Sequence, residues 1–143
     1  MKEEKFKVIQ FIRQLILVVD KDLENFPKKD FEIKNRIRTS SYDLLELAYE
    51  ANYTKDKEKR EQLLTKVTAK IKIIDFLINL SFDKKLLTQK KYLKIAKRID
   101  DIAKYTNGWI KSTIGQGWYK QDFIFSYSFF GGACSSGGEK NEK

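Results

Sequence analysis

Residues 88–114 read TQKKYLKIAKRIDDIAKYTNGWIKSTI, where apolar side chains recur mainly at steps of three and four. This spacing keeps them on one face of an α-helix. The face consists of Tyr92, Ile95, Ile99, Ile102 and Ile110. Thr88 is a favourable N-cap, because its hydroxyl can accept a hydrogen bond from a free amide of the first turn. The segment therefore predicts a long amphipathic α-helix that begins after Thr88.

Three earlier segments carry the same period. Their apolar faces are Ile9, Ile12, Ile16, Val19 and Leu23; Ile33, Ile37, Leu44, Ala48 and Ala51; and Leu64, Val67, Ile71, Ile74 and Ile78. Pro27 ends the first helix, and the polar stretch 54–57 separates the second from the third. Four amphipathic helices with short connections predict an all-α fold, an antiparallel up-down-up-down four-helix bundle over residues 1–114.

Residues 115–143 break this pattern. They hold six of the seven glycines and seven aromatic residues, followed by a charged end. The segment has no helical period and no sheet to join. We expect an extended or disordered tail that is rich in glycine and aromatic residues.

The composition excludes many kinds of catalytic site. The 143 residues include no histidine, so Ser-His-Asp triads and histidine-containing metal sites are excluded. The only cysteine, Cys134, cannot form an internal disulfide. No glycine-rich phosphate loop opens a helix, and no carboxylates converge. We expect no enzyme activity, no metal, no cofactor and no small-molecule substrate.

The apolar runs are too short to span a membrane. The longest, Leu15–Val19, is far below the roughly 18 residues that a span needs. Lysines and glutamates precede it, and no small-residue cleavage site follows. We expect a cytoplasmic protein without membrane contact.

The basic residues favour nucleic acid as a partner. The net charge is +9, and all of it lies before residue 115. Two groups suit phosphate contacts without sequence readout. They are Lys28, Lys29, Lys34, Arg36 and Arg38 around the start of the second helix, and Lys90, Lys94, Lys97, Arg98, Lys104 and Lys111 along the fourth. The alternative for the lysine line is an ordinary solvated helix face, although such a face usually mixes charges of both signs.

Two other patterns leave alternatives open. Asp43, Glu46 and Glu50 form an acidic line on the second helix, which is a solvated or partner-pairing face rather than a metal site. Gly108 and Trp109 are uncommon inside a helical pattern, and they indicate either close packing or an aromatic anchor for a partner.

The first helix carries a second apolar stripe about 100° from the first. It consists of Val8, Phe11, Leu15 and Val18. One interpretation is a helix buried deeply against two neighbours. The other is an oligomer interface, because so large an exposed stripe would be unusual on a soluble monomer.

Three segments together resemble a known family. They are residues 26–31 (FPKKDF) followed by Arg36, residues 43–51 (DLLELAYEA), and residues 108–112 (GWIKS). In this order and spacing they are similar to the accessory variability determinant (Avd) proteins of diversity-generating retroelements. The likeness covers about residues 5–113, and the wider superfamily includes the four-helix-bundle proteins encoded by intervening sequences of 23S ribosomal RNA genes.

The resemblance implies a non-catalytic bundle that assembles into a ring-like homopentamer. It implies binding to the element's reverse transcriptase and to template RNA or DNA, in support of mutagenic cDNA synthesis. Lys28, Lys29 and Arg36 match basic positions of the family, whereas Asp30 and Asn107 depart from its pattern. Because reverse transcriptases are usually basic, we expect the acidic line to contact that partner. An rRNA intervening-sequence protein, or an oligomeric scaffold with incidental charge, remains the alternative.

Overall fold

The computed structural model describes the backbone of residues 2–114 and the side chains of residues 5–113. Four α-helices follow one another: α1 (Lys2–Asp22), α2 (Phe31–Tyr53), α3 (Lys57–Asp83) and α4 (Gln89–Ile114). A single 3-10 turn, Lys28–Asp30, precedes α2. The predicted all-α bundle is confirmed, while the predicted tail, residues 115–143, lies outside the described residues.

The helix ends follow from local chemistry. The backbone amide of Lys91 donates to Thr88 Oγ1 at 3.2 Å, so the predicted N-cap of α4 is confirmed. Asp56 caps α3 in the same way, accepting from the amide of Glu58 at 3.3 Å. Lys85 closes α3 with a φ of 63°, a conformation that glycine usually adopts at this position. The start of α3 and both ends of the α3–α4 connection are therefore fixed by local contacts.

Each helix packs against the next along the chain, and α4 closes the bundle by packing against α1. The core is one continuous cluster of mainly aliphatic residues from all four helices. Trp109 is only 2% exposed and belongs to this cluster, so its ring serves packing within the subunit. The helix also continues through Gly108 to Ile114.

The antiparallel arrangement gives the bundle two chemically different ends. One end carries both the α1–α2 and the α3–α4 connections, and we call it the two-loop end. Two ion pairs cross it: Lys84 Nζ lies 3.3 Å from Asp30 Oδ1, and Lys94 Nζ lies 3.2 Å from Asp22 Oδ2. The opposite end carries the α2–α3 connection.

The second apolar stripe of α1 is mostly used inside the subunit. Val8 and Leu15 are 0% exposed, because α1 is flanked by α2 and α4. These two side chains have no surface left for a contact between copies, which corrects their assignment to an oligomer interface. Phe11 and Val18 are half-buried and pack against the same core.

Within residues 2–114, no helix is long and apolar enough to cross a membrane.

Candidate nucleic-acid and partner-binding surfaces

The two-loop end gathers much of the positive charge. Residues 20–38 and 83–94 form this end, and they hold eleven basic and six acidic side chains. Lys28, Lys29, Arg36 and Lys90 are all exposed there. The fold therefore places Lys28, Lys29 and Arg36 of the first predicted basic group at the same end of the bundle as Lys90, where the lysine line on α4 begins.

Buried carboxylates hold two lysines at this end. Asp22 and Asp30 are both buried, and each has one lysine as its ion-pair partner. Lys94, predicted to bind nucleic acid, thus has a structural partner within the subunit. Lys84 plays the same part for Asp30, and the sequence pattern did not single it out.

The lysine line on α4 is not uniform. Lys97 pairs with Asp101 one turn along the helix, with Nζ 3.0 Å from Oδ1. Lys104 and Lys111 lie on the far half of α4, since Lys90 and Lys111 are about 32 Å apart along a straight helix. The predicted line therefore contains ion-paired lysines in its middle, whereas the lysines towards each end have no ion-pair partner among residues 5–113.

Arg38 faces α1 and not the two-loop surface. Its Nη2 lies 3.4 Å from Asp20 Oδ1. A hydrogen bond with Tyr42, together with the nearby charge of Asp20, raises the pKa of Arg38 above its ordinary value. Lys34 lies over the ring of Phe31, with Nζ 5.4 Å from the ring centroid. These two residues are therefore engaged along the surface of α2.

A second group of cations lies along the line where α1 meets α4. Lys7 Nζ and Arg98 Cζ are 5.9 Å and 5.6 Å from the centroid of the Phe11 ring. Lys104 Nζ is 5.7 Å from the Tyr105 centroid, and the two rings are 5.6 Å apart. We call these five residues the seam cluster. Sequence reasoning selected Arg98 and Lys104 but missed Lys7 and Tyr105, and it assigned Phe11 to an oligomer interface.

The acidic line lies on a groove between α2 and α3. The groove has a volume of about 480 Å³, and its lining is Asp43, Glu46, Leu47, Glu50, Lys66, Ala69, Lys70 and Ile73. Asp43 is neutralised in part by Lys70, whose Nζ lies 3.0 Å from Asp43 Oδ2. Glu46 and Glu50 are exposed and have no ion-pair partner among residues 5–113. The line thus borders an apolar floor, a feature that helical spacing on α2 alone could not show.

Two further carboxylates face each other across α3 and α4. Burial raises the pKa of Asp75 to about 6, and the charge of Asp100 adds to this effect. Burial and the charge of Asp101 raise the pKa of Asp100 as well. No group of three or more potential ligand residues in the described part of the chain could hold a metal ion. Asp75 is buried and Asp100 is half-buried, and their charges interact between the two helices.

Comparison with known proteins is consistent with this architecture. No curated protein and no solved structure matches the chain. A family model described as bAvd-like matches residues 3–113, the same region in which the sequence motifs resemble Avd proteins. The resemblance is confirmed, and the chain, with most of its length covered by the match, belongs to the bAvd-like family.

Proposed function

We propose that this protein is a non-catalytic accessory protein of a diversity-generating retroelement. It binds the element's reverse transcriptase and its template RNA or DNA in the cytoplasm, and it supports mutagenic cDNA synthesis by holding the two together. Family membership supports the accessory role. The observation that carries the two-partner model is that the bundle presents basic and acidic surfaces at different places.

The basic surface fits a nucleic-acid backbone. Lys28 and Lys29 lie on the 3-10 turn, Arg36 lies in the second turn of α2, and Lys90 lies in the first turn of α4. The side chains of these four basic residues are exposed, and none of them has a carboxylate partner among residues 5–113. Point charges of this kind contact phosphates and release counterions, so binding should depend strongly on salt and little on sequence.

The acidic surface fits a basic protein. Glu46 and Glu50 flank the groove, and the half-buried Leu47 and the exposed Ile73 supply an apolar floor. An apolar centre with a charged rim is the usual composition of a protein interface. This combination favours a protein partner over a phosphate backbone, which the acidic rim would repel.

The test measures the two partners separately. Glu46→Lys with Glu50→Lys should abolish co-purification with the reverse transcriptase of the same element while sparing RNA binding. Lys28→Gln with Lys29→Gln and Arg36→Gln should weaken RNA binding and leave co-purification intact. Loss of both activities in either variant, at unchanged helicity, would contradict the two-surface model.

We further propose that the protein forms a homopentamer through the outer face of α1. Because Val8 and Leu15 are unavailable, the contact must use other apolar side chains. Phe6 and Leu17 on α1 are 66% and 70% exposed. Large apolar side chains gain no stability from contact with water, so they are candidates for the contact between copies. Leu17→Glu should dissociate the assembly in light scattering without loss of helicity, and a monomeric wild-type protein at micromolar concentration would contradict the proposal.

A further inference from the structure

The seam cluster holds cations on aromatic rings instead of on carboxylates. Lys7 and Arg98 approach the same Phe11 ring, and Lys104 approaches the neighbouring Tyr105 ring. None of the three cations has an ion-pair partner among residues 5–113. On the same helix, by contrast, Lys94 and Lys97 are paired with Asp22 and Asp101.

This difference matters because a cation held by a carboxylate is less able to bind an anionic ligand than a cation held by an aromatic ring. A carboxylate neutralises the charge and occupies the hydrogen-bond donors. A ring attracts the cation only weakly at an exposed site, and it leaves the charge and the donors of the cation available. Arg98 Nε is buried and has no hydrogen-bond acceptor within the described part of the chain. The three cations of the seam cluster are therefore held in position, and no carboxylate among residues 5–113 neutralises them.

Cations gathered on two touching rings repel each other unless an anion lies between them. Lys7 Nζ and Arg98 Cζ are both within 6 Å of the Phe11 centroid, and Lys104 Nζ lies over the adjacent Tyr105 ring. A single phosphate would meet only part of this charge. A strand with successive phosphates matches the extended arrangement along α1 and α4.

We propose that the seam cluster is a binding site for the backbone of a single-stranded nucleic acid. Lys7, Arg98 and Lys104 contact consecutive phosphates, and the half-exposed rings of Phe11 and Tyr105 border the bases. An unpaired base can approach such rings, whereas a base within a duplex cannot. The inference rests on the proposed nucleic-acid binding, but it places a strand on the α1–α4 face and not only at the two-loop end.

The first test compares matched charge losses in the full chain. The probe is a fluorescent 20-nucleotide single-stranded RNA of mixed sequence, followed by anisotropy across a salt series. Lys7→Gln with Arg98→Gln should weaken binding at least tenfold and lower the log–log salt slope by about 1.4, the value for two contacts to a single strand. Lys59→Gln with Lys72→Gln removes the same charge from exposed positions of α3 and should change binding less than twofold.

The second test removes the ring and keeps the charges. Phe11→Leu preserves an apolar side chain against the core but removes the surface that positions Lys7 and Arg98. Single-stranded RNA binding should fall several-fold, with unchanged helicity by circular dichroism. Phe76→Leu removes an exposed ring from α3 and is the matched control.

The outcomes separate this inference from the proposed function. Failure of the wild-type protein to bind RNA would contradict the nucleic-acid part of the proposed function. Wild-type binding with equal losses in the seam and control variants would overturn the seam site alone. If light scattering shows that the seam variants dissociate the assembly, the cluster is instead a contact between copies. Equal losses of binding for a duplex probe would exclude the single-strand preference.

Discussion

The α1–α4 seam and the α2–α3 groove lie on opposite sides of the bundle and differ in how they use charge. At the seam, Arg98 and Lys7 lie over an aromatic ring and have no carboxylate among residues 5–113. At the groove, Glu46 and Glu50 border an apolar floor, and Lys70 compensates Asp43. Both surfaces come from amphipathic helices of the same period. Their opposite character depends on which residues the neighbouring helix supplies.

The α3–α4 contact provides a third case, in which a carboxylate is buried near the charge of a second carboxylate, that of Asp100. Asp75 is buried there, and its pKa is raised to about 6. The three contacts show that this bundle tolerates uncompensated charge of either sign at helix contacts. Where such charge is half-exposed it can serve a partner, and where it is buried it costs stability.

The largest expected effect is the loss of both surfaces together when their shared core is damaged. Trp109 lies one turn beyond Tyr105 and is almost fully buried. Trp109→Ala should lower the free energy of unfolding by about 3–5 kcal/mol, the usual cost of removing a large buried side chain. Urea denaturation measures it. Phe76→Ala, at an exposed position, is the control and should cost little; equal effects would contradict the assigned burial.

Removing the buried carboxylate charge of Asp75 should stabilise the protein, because burial, and to a smaller extent the charge of Asp100, disfavours the ionised form. The raised pKa of Asp75 means that the folded state binds its proton more tightly than the unfolded state, whose pKa is near 3.9. The contribution of protonated Asp75 to the free energy of unfolding is therefore fully present below about pH 4. It is lost as the pH rises through about 6.

Asp75→Asn should therefore raise the free energy of unfolding by about 2 kcal/mol at pH 7, with a smaller gain at pH 5. Denaturation at both pH values measures the difference. Asp83→Asn changes an exposed carboxylate of the same helix and should show no such pH dependence. A gain that is equal at the two pH values would contradict the assignment to Asp75.

Replacing a lysine that pairs with a buried carboxylate should lower the stability of the fold more than replacing an exposed lysine that is available to a ligand. Lys94→Met leaves the buried Asp22 carboxylate without its partner and should cost about 1–2 kcal/mol, while the half-exposed position limits the loss. Lys90→Met, on an exposed position one turn earlier, should leave the melting temperature nearly unchanged. Equal stability of the two variants would show that the ion pair is not required.

The smallest expected effect on stability sharpens the description of the groove. Lys70→Gln removes the partner of Asp43, and since both side chains are partly exposed the cost should be about 0.5 kcal/mol or less. The groove becomes more acidic, so co-purification of the basic partner should increase. Thr65→Gln, at an exposed position of α3, is the control, and a decrease in partner binding would contradict the acidic-rim model.

Much of the fold and some of the site could be predicted from residue spacing. The apolar periods located all four helices, and Thr88 was correctly predicted as the cap of α4. Basic residues at 28, 29, 36 and 90 were predicted and are exposed. Spacing along one helix failed for Val8 and Leu15, because whether a second stripe is buried depends on how many helices flank it.

The sequence by itself determined the helical class, the order of the elements, the family and the net positive charge, because these properties depend on residues close together along the chain or on composition. Only the tertiary structure decided which charges are available to a partner. Asp22 meets Lys94 and Asp30 meets Lys84 across separate helices and loops. Arg98 instead meets Phe11 from a distant part of the chain, and it keeps its charge because an aromatic ring neutralises none of it.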